Sequence, residues 1–464
     1  MRKNFLKGKK IAITAYELEQ KEHRGISSVT KSLIKLLNKY GADIFLITGL
    51  DTKRKKGRGL IFKENQLSVE LAIADICDQL NLGVDYRKNF KLSNKYKIKL
   101  TFDLCLQTFL LIINNFRFRY KLYNFTNNHN LINNLNTRMD YLNDVKGFIS
   151  IKYIFHICRL RSMRLLARTP KLKINNIDLI ISTSPLSIEN SKSSSSKLTQ
   201  IVHDLIPIQV SSHPENPYIF YNRIKDSLTN KCIYVSSESK RVIEKTIKIN
   251  NYNYDNSVIL NPLPSLNLKI LKKASEIKYL NNINKPFILF NSSIVERKKV
   301  EDAIKYFKSS NLSNRGVLFC IAGKLHENKY CEFIKNICRE NDNILLLDYV
   351  SDLEKAWLFL NSSLLISTSC IEGFGIPLLD ALSINLPILA TAIPSHIEIS
   401  KIKKNKKTNL INKKNQKFWL DYLNKIELTD INSKDIKSLR IRSFKQFIMN
   451  IENNSIKKIN SFIN

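Results

Sequence analysis

Two carboxylates, Glu372 and Asp380, stand eight residues apart in CIEGFGIPLLD (Cys370–Asp380), with Gly373, Phe374, Gly375, Ile376 and Pro377 between them. Paired acids can do acid–base work across a scissile bond. They can also accept hydrogen bonds from hydroxyls of a bound ligand. The surrounding residues favour the second use. SLLISTS (Ser363–Ser369) just upstream is an apolar run ending in small polar residues, as a buried strand would. Pro377 suits the first turn of a helix, where its missing N–H costs nothing. Ligands of open α/β sheets bind beyond the carboxyl ends of strands, so Glu372 falls where a ligand would sit. Gly373 and Gly375 permit close backbone approach. The helix that follows turns its free N–H groups and positive dipole end toward the loop, which suits a phosphate. A plain Gly turn between strand and helix accounts for one glycine and the proline, but not for the whole ordered set.

Three other stretches carry chemistry-bearing residues. FILFNSSIVERKKVEDAIKYF (Phe287–Phe307) sets Arg297 and Lys298 just beyond a strand. Arg offers a planar fork to phosphate oxygens and Lys a point charge, although ERKK alone reads as a solvated helix start. QIVHDLIPI (Gln200–Ile208) puts His203 at a strand end, where a histidine is more often structural. HRGISSVTKSLIKLL (His23–Leu37) sets Gly25 at the opening of a helix.

These residues need strands and helices to bring them together. KIAIT (Lys10–Thr14), an amphipathic helix over Ile26–Gly41 and ADIFLITG (Ala42–Gly49) make a βαβ unit, which implies a parallel sheet. The same alternation returns from Pro286 to Thr391 as a second doubly wound domain. The Pro-containing segment Ile259–Lys269 is the expected hinge. The expected domains are 1–265, with a helical insertion at about 52–175, then 266–440, and a C-terminal helix over 441–464 that could cross back to the first domain.

Composition sets the limits. A chain of 464 residues with 43% hydrophobic and 25% charged content is globular, with two or three domains. Its net charge of +35 suits polyanions such as phosphorylated substrates or an anionic membrane. The lysines are scattered and no base-reading motif appears, so no nucleic-acid partner is expected. Eight cysteines make no CxxC pair, which reads as reduced, buried thiols in a cytosolic protein, with no metal site. The N-terminus lacks the apolar core of a signal peptide. The longest apolar run, Leu100–Ile113, is too short to span a bilayer and contains Asp103 and Gln107.

The order of acid, Gly-Phe-Gly, hydrophobic residue, Pro and second acid resembles the donor motif of retaining glycosyltransferases of family 4, which have the GT-B fold. NLPILATAIPSHIEI (Asn385–Ile399) and the stretches around Gly25, His203 and Arg297-Lys298 follow that family's running order over residues about 10–50 and 178–400. The resemblance implies two facing Rossmann-like domains with a cleft between them. It implies a nucleotide-diphosphate sugar bound by Arg297, Lys298, Glu372, Gly373, Phe374, Gly375, Ile376, Pro377 and Asp380. Glu372 would grip the sugar, Asp380 the ribose, and Arg297 and Lys298 the diphosphate. His203 would position donor or acceptor, Gly25 would lie at the cleft, and no metal or cofactor is expected. The second acid departs from the family's usual Glu. Asn291-Ser292-Ser293 replaces a Gly-containing loop, and Asn261-Pro262 an Asn-Gly.

The expected activity is hexosyl transfer, mannose or glucose type, to a glycan or lipid-linked acceptor in cell-surface polysaccharide synthesis. Two alternatives stay open: a nucleotide-sugar epimerase on the same fold, and a catalytically inactive sugar-nucleotide-binding protein. The expected location is the cytoplasm, peripheral on the inner face of the membrane. Two segments suggest that surface: the apolar run within Lys95–Tyr123, and a basic stripe of Arg161, Arg164 and Arg168 spaced for one helix face.

Overall fold

A computed structural model describes residues 5–20, 25–50, 66–83, 94–125, 137–211, 213–247, 257–278, 280, 283–403, 405, 407–412, 415–431 and 433–463. His23, at the start of the Gly25 stretch, lies outside them. The strands in chain order are β1 (Lys10–Thr14), β2 (Asp43–Thr48), β3 (Lys121–Asn124), β4 (Gly147–Ser150), β5 (Lys171–Leu172), β6 (Leu179–Ser182), β7 (Glu189–Asn190), β8 (Lys197–Val202), β9 (Lys231–Tyr234) and β10 (Val258–Ile259). A second set follows: β11 (Phe287–Asn291), β12 (Leu318–Ala322), β13 (Ile344–Asp348), β14 (Leu364–Ser367), β15 (Ile388–Thr391) and β16 (Thr408–Ile411).

The first sheet runs β10-β9-β8-β6-β1-β2-β4-β3, and the second β13-β12-β11-β14-β15-β16. Every pairing in them is parallel except that of β3 with β4. Parallel sheets are covered on both faces, so their strands are apolar throughout. Leu364, Leu365 and Ile366 of β14 and all five residues of β12 are buried accordingly. The expected fold, two doubly wound α/β domains, is the one observed.

Strand order reverses between β1 and β6 in the first sheet and between β11 and β14 in the second. Crevices form where the order reverses. The loop before Gly25 follows β1, Arg297-Lys298 follows β11 and Glu372 follows β14, so topology alone gathers them at the two crevices.

The stretch 52–175 differs from its expected helical character. It contains helices Gln66–Leu82, Asn94–Ile113 and Ile154–Ser162, but also β3 and β4, which extend the first sheet at its edge. KLYN and GFIS lack the aliphatic run that marks the equally short β14 (LLIS) and β15 (ILAT). Gly147 is required where they pair, since a Cβ there would lie 2.4 Å from the Tyr123 carbonyl oxygen. The basic stripe is also absent. The helix ends at Ser162, and Arg164 has φ 62°. Arg164 turns inward and donates to both Asp226 carboxylate oxygens at 2.9 Å. Arg161 lies 3.6 Å from the same carboxylate and donates to the Leu166 carbonyl at 2.8 Å. Six of the cysteines are buried free thiols, while Cys105 and Cys370 are exposed.

The domains are fastened to one another. Ser236 caps the Ser237–Thr246 helix of the first domain, accepting from the Ser239 N–H at 2.9 Å. Its hydroxyl donates to the Gly373 carbonyl of the second domain at 3.0 Å. Glu398 reaches across to the same helix start and accepts from the Ser237 N–H at 2.9 and 3.0 Å, and from Asn261 Nδ2 at 3.2 Å. An anion there is favoured by the free N–H groups and the dipole. The Lys434–Ile463 helix supplies a second tie. Asn453 accepts from the Tyr40 hydroxyl at 2.6 Å, and Lys458 donates to the Ile259 carbonyl at 2.8 Å. Glu398→Ala is expected to cost about 1 kcal/mol in urea unfolding and to enlarge the radius of gyration of the ligand-free protein in small-angle scattering. An unchanged radius would mean that this clasp does not hold the domains together.

Candidate functional site

The loops after β11 and β14 are stitched to each other by backbone. Thr368 Oγ1 donates to the carbonyls of Lys298 at 3.0 Å and Lys299 at 2.6 Å. The Cys370 N–H donates to the Arg297 carbonyl at 2.9 Å. This lattice sets Glu372 between two cations. Its Oε2 accepts from Arg297 Nη1 at 3.1 Å, and its Oε1 from Ser369 Oγ at 2.8 Å and from Lys298 Nζ. Three of roughly four acceptor positions on the carboxylate are therefore filled.

Burial pushes the Glu372 carboxyl up, but the attraction of Lys298, Arg297 and His396 outweighs it and holds the pKa down at about 2. Lys298 is only 5% exposed. Burial lowers its pKa to about 8, a fall that Arg297 adds to and that Glu372 only partly offsets. The lowered Glu372 adds stability that is complete above its ordinary value of 4.5 and is lost as the pH falls toward 2. Lys298 has the opposite sense. Its buried charge costs stability at neutral pH, and that cost is relieved as the pH rises from about 8 toward 10.5.

Gly375 opens the Ile376–Ser383 helix with φ 106°, a left-handed conformation that a side chain would strain. Pro377 sits in the first turn. Gly373 is needed for a close approach instead: a Cβ there would lie 2.4 Å from Asp204 Oδ2, across the cleft. Gly25 approaches less closely from the first domain: Ile376 Cδ1 would lie 3.5 Å from a Cβ, an ordinary van der Waals contact. His203 Nε2 lies 2.7 Å from the Thr183 carbonyl, so Nε2 carries the proton of the neutral ring. Gly25, His203, Arg297, Lys298 and the run from Glu372 to Pro377 all line one cleft of about 360 Å³ between the domains.

Asp380 does not join them. It was expected to reach a ribose, yet it is fully buried and absent from the cleft wall. One oxygen accepts from the Ser265 N–H at 2.6 Å and the Leu266 N–H at 3.3 Å. The other accepts from the Ser265 hydroxyl at 2.5 Å and from Lys355 Nζ at 2.8 Å. The eight-residue spacing puts the acid on the helix but does not say which face it occupies. Here it faces the interdomain segment and braces Ser265 and Lys355, both of which line the cleft.

Sequence reasoning missed three residues. Asp204 lines the cleft beside His203, and its Oδ1 accepts from the Ile206 N–H at 3.0 Å; it lay unassigned within HDLIPI. Lys355 stands in the first turn of the Asp352–Asn361 helix, whose Ser351/Glu354 capping box marked the helix start but not the lysine's role. His396 is fully buried, with Nδ1 2.8 Å from the Thr391 carbonyl and Nε2 without a hydrogen-bond partner among the described residues. A Cβ on Gly375 would lie 3.3 Å from its ring, and burial lowers its pKa. Among the described residues, no cluster of three His, Cys, Asp or Glu side chains is placed to hold a metal ion.

The fold agrees with comparisons to known proteins. Residues 272–439 match the family of glycosyl transferases group 1. The fold is shared with Anabaena HepE in complex with UDP and glucose, at 11% identity, covering 98% of this chain and 100% of that one with a TM-score of 0.52. It is shared also with a mutant of S. aureus TarM in complex with fondaparinux, α-GlcNAc-glycerol and UDP, at 14% identity, 98% and 100% coverage and a TM-score of 0.52. Sucrose-phosphate synthase from Thermosynechococcus elongatus gives 11% identity, 98% and 99% coverage and a TM-score of 0.56. No curated protein matches the chain in sequence. The two domains thus have the GT-B arrangement, and the chain is an enzyme, a glycosyltransferase, whose second domain carries the group 1 signature.

Asp380→Ala is expected to cost about 3 kcal/mol in urea unfolding, because it strips a buried cation and two backbone N–H groups of their partner. Asp380→Asn should lose less and should still bind nucleotide. Normal stability together with lost nucleotide affinity in Asp380→Asn would instead indicate a ribose contact.

Proposed function

We propose that the enzyme moves a hexose from a nucleotide-diphosphate sugar to a glycan or lipid-linked acceptor, with retention of anomeric configuration, as a family 4 glycosyltransferase of cell-surface polysaccharide synthesis acting at the cytoplasmic face of the membrane. One observation carries the donor half of this reading: Glu372, Arg297 and Lys298 meet at the crevice between β11 and β14, beside the start of the Ile376–Ser383 helix. In the reaction the bond from the anomeric carbon to the diphosphate breaks and the nucleoside diphosphate leaves with the electron pair. The acceptor oxygen bonds to that carbon and passes its proton to the departing diphosphate oxygen.

Arg297 and Lys298 carry the charge that develops on the departing diphosphate, a contribution of several kcal/mol in comparable electrostatic sites. The Ile376 N–H and the positive end of the Ile376–Ser383 helix dipole assist. Glu372 has acceptor capacity left for a sugar hydroxyl. His203, its ring fixed by Thr183, positions the donor or acceptor from the first domain. Closure of the domains over the cleft excludes water and so suppresses hydrolysis of the donor. UDP, named in the complexes of HepE and TarM, is the first nucleotide to test, and the α-GlcNAc-glycerol named for TarM makes a glycan the first acceptor class.

A thermal-shift series with UDP, GDP and ADP, each with and without its sugar, tests the reading. One nucleotide should raise the melting temperature, with about 2.7 kcal/mol gained at 100-fold excess over Kd. Lys298→Ala should abolish that gain, and stabilisation by none of them would sink the proposal.

A pH series adds a sharper test. Lys298 is cationic below about 8 and neutral above. Diphosphate affinity should therefore fall as the pH rises through 8, and binding near pH 8 should take up a proton. Calorimetry in buffers of different ionisation enthalpy reads that uptake directly, and Lys298→Arg should remove it.

A further inference from the structure

The helix Asn94–Ile113 is apolar on two sides, and only one is covered. Leu111 is buried and Leu104 half-buried against the core that also holds Ile149, Phe155 and Ile157. On the other side Ile98, Phe102, Leu106, Phe109, Ile112 and Ile113 are each 43% to 70% exposed. At ~100° per residue these positions fall within about 120° of arc. They form one continuous stripe along a helix roughly 30 Å long. A large apolar face left open on a soluble fold marks a docking surface.

Charge says what covers it. Immediately after the stripe come exposed Arg117, Arg119 and Lys121, then exposed Leu122. The described residues of the open arc include no acid. The helix's Asp103 lies on its flank and is paired with Lys152 at 3.5 Å. The whole chain carries +35, so a second copy brought to this face would be repelled, whereas an anionic surface would be attracted. Among the described residues no helix is long and apolar enough to cross a membrane. A helix with one face in the protein and one apolar face open, flanked by cations, can lie in the plane of a bilayer interface.

We propose that the open face of the Asn94–Ile113 helix docks the protein onto an anionic lipid bilayer, with Phe102, Phe109 and Ile113 entering the acyl boundary and Arg117, Arg119 and Lys121 on the headgroups. This deepens the membrane location proposed above by naming the surface, and it does not depend on the glycosyl-transfer chemistry. It keeps the first of the two segments expected from sequence, the run within Lys95–Tyr123, and drops the second, because Arg161 and Arg164 are committed to Asp226.

The test is co-sedimentation of the full chain with vesicles of pure phosphatidylcholine or of phosphatidylcholine with one-third phosphatidylglycerol, in low and high salt. The parent protein should bind the anionic vesicles and not the neutral ones, more weakly in high salt. Phe102→Glu/Phe109→Glu should lower the partition coefficient at least tenfold, and Arg117→Glu/Arg119→Glu should do so chiefly in low salt. All four positions are exposed, so each variant should keep the parent's circular dichroism spectrum and its thermal response to UDP. Failure to bind anionic vesicles, or binding unchanged by Phe102→Glu/Phe109→Glu, would overturn the proposal. So would a parent dimer, seen by light scattering, that this variant dissociates while no vesicle is bound, since the face would then pack on a second copy. The UDP response is read separately, so the docking surface and the donor site can fail independently.

Discussion

The site depends on one buried arrangement of charge: a carboxylate, Glu372, held by Lys298 and Arg297 where two loops cross. Ammonium and carboxylate groups are expensive to desolvate, and a buried pair is tolerated only with good geometry and satisfied lone pairs. Here the geometry comes from backbone. Thr368 and Cys370 tie one loop to the carbonyls of the other, so the three charged groups are set before any ligand arrives. Burial, with Arg297 adding to it, keeps the Lys298 pKa low even with Glu372 in contact.

The sheet explains why those loops cross. Strand order reverses between β11 and β14, and the two adjacent strands send their following segments into the same crevice. The first domain repeats the device at β1 and β6 and presents Gly25 and the β8 end, with His203 and Asp204, from the other side. The close approach of Gly373 to Asp204 then becomes a joint between domains as well as a piece of the site. Ser236 and Glu398 work from the first and second domains respectively on that same joint. Closure and site assembly share their contacts, so the cleft cannot open without releasing the Gly373 carbonyl.

Much of this was legible in the sequence. Buried parallel strands announce themselves as apolar runs, and the Gly-Phe-Gly, Pro order fixed both a strained turn and a helix start. Position along the chain was therefore readable for Glu372, Arg297, Lys298 and Gly375. Facing was not. Asp380 falls at the predicted place on the helix, but its side chain turns to Ser265 and Lys355, a choice made by tertiary packing that an eight-residue spacing does not encode. Arg164 went astray for the same reason: the helix ends at Ser162, and a residue at positive φ leaves the expected face. β3 and β4 escaped because KLYN and GFIS carry no aliphatic run like that of the equally short β14 and β15, and His396 because a buried histidine looks like any other polar residue in a helix.

The two acids of the motif therefore divide the labour differently from what their symmetry suggests. Asp380 is fully buried and Glu372 mostly so, and each holds a lysine, Glu372 with Lys298 and Asp380 with Lys355. Only the first pair lines the cleft with both of its members; of the second, Lys355 does and Asp380 does not. Under the proposed function, a diphosphate arriving beside Lys298 and Arg297 would compete with Glu372 for the same donors, and each N–H it took would free an acceptor position on the carboxylate. Donor phosphate and donor sugar would then be coupled through one side chain. Asp380 has no such exchange open to it, since two of its four partners are backbone N–H groups that cannot leave without moving the interdomain segment. On that reading the first acid would change partners as donor binds, while the second keeps its own.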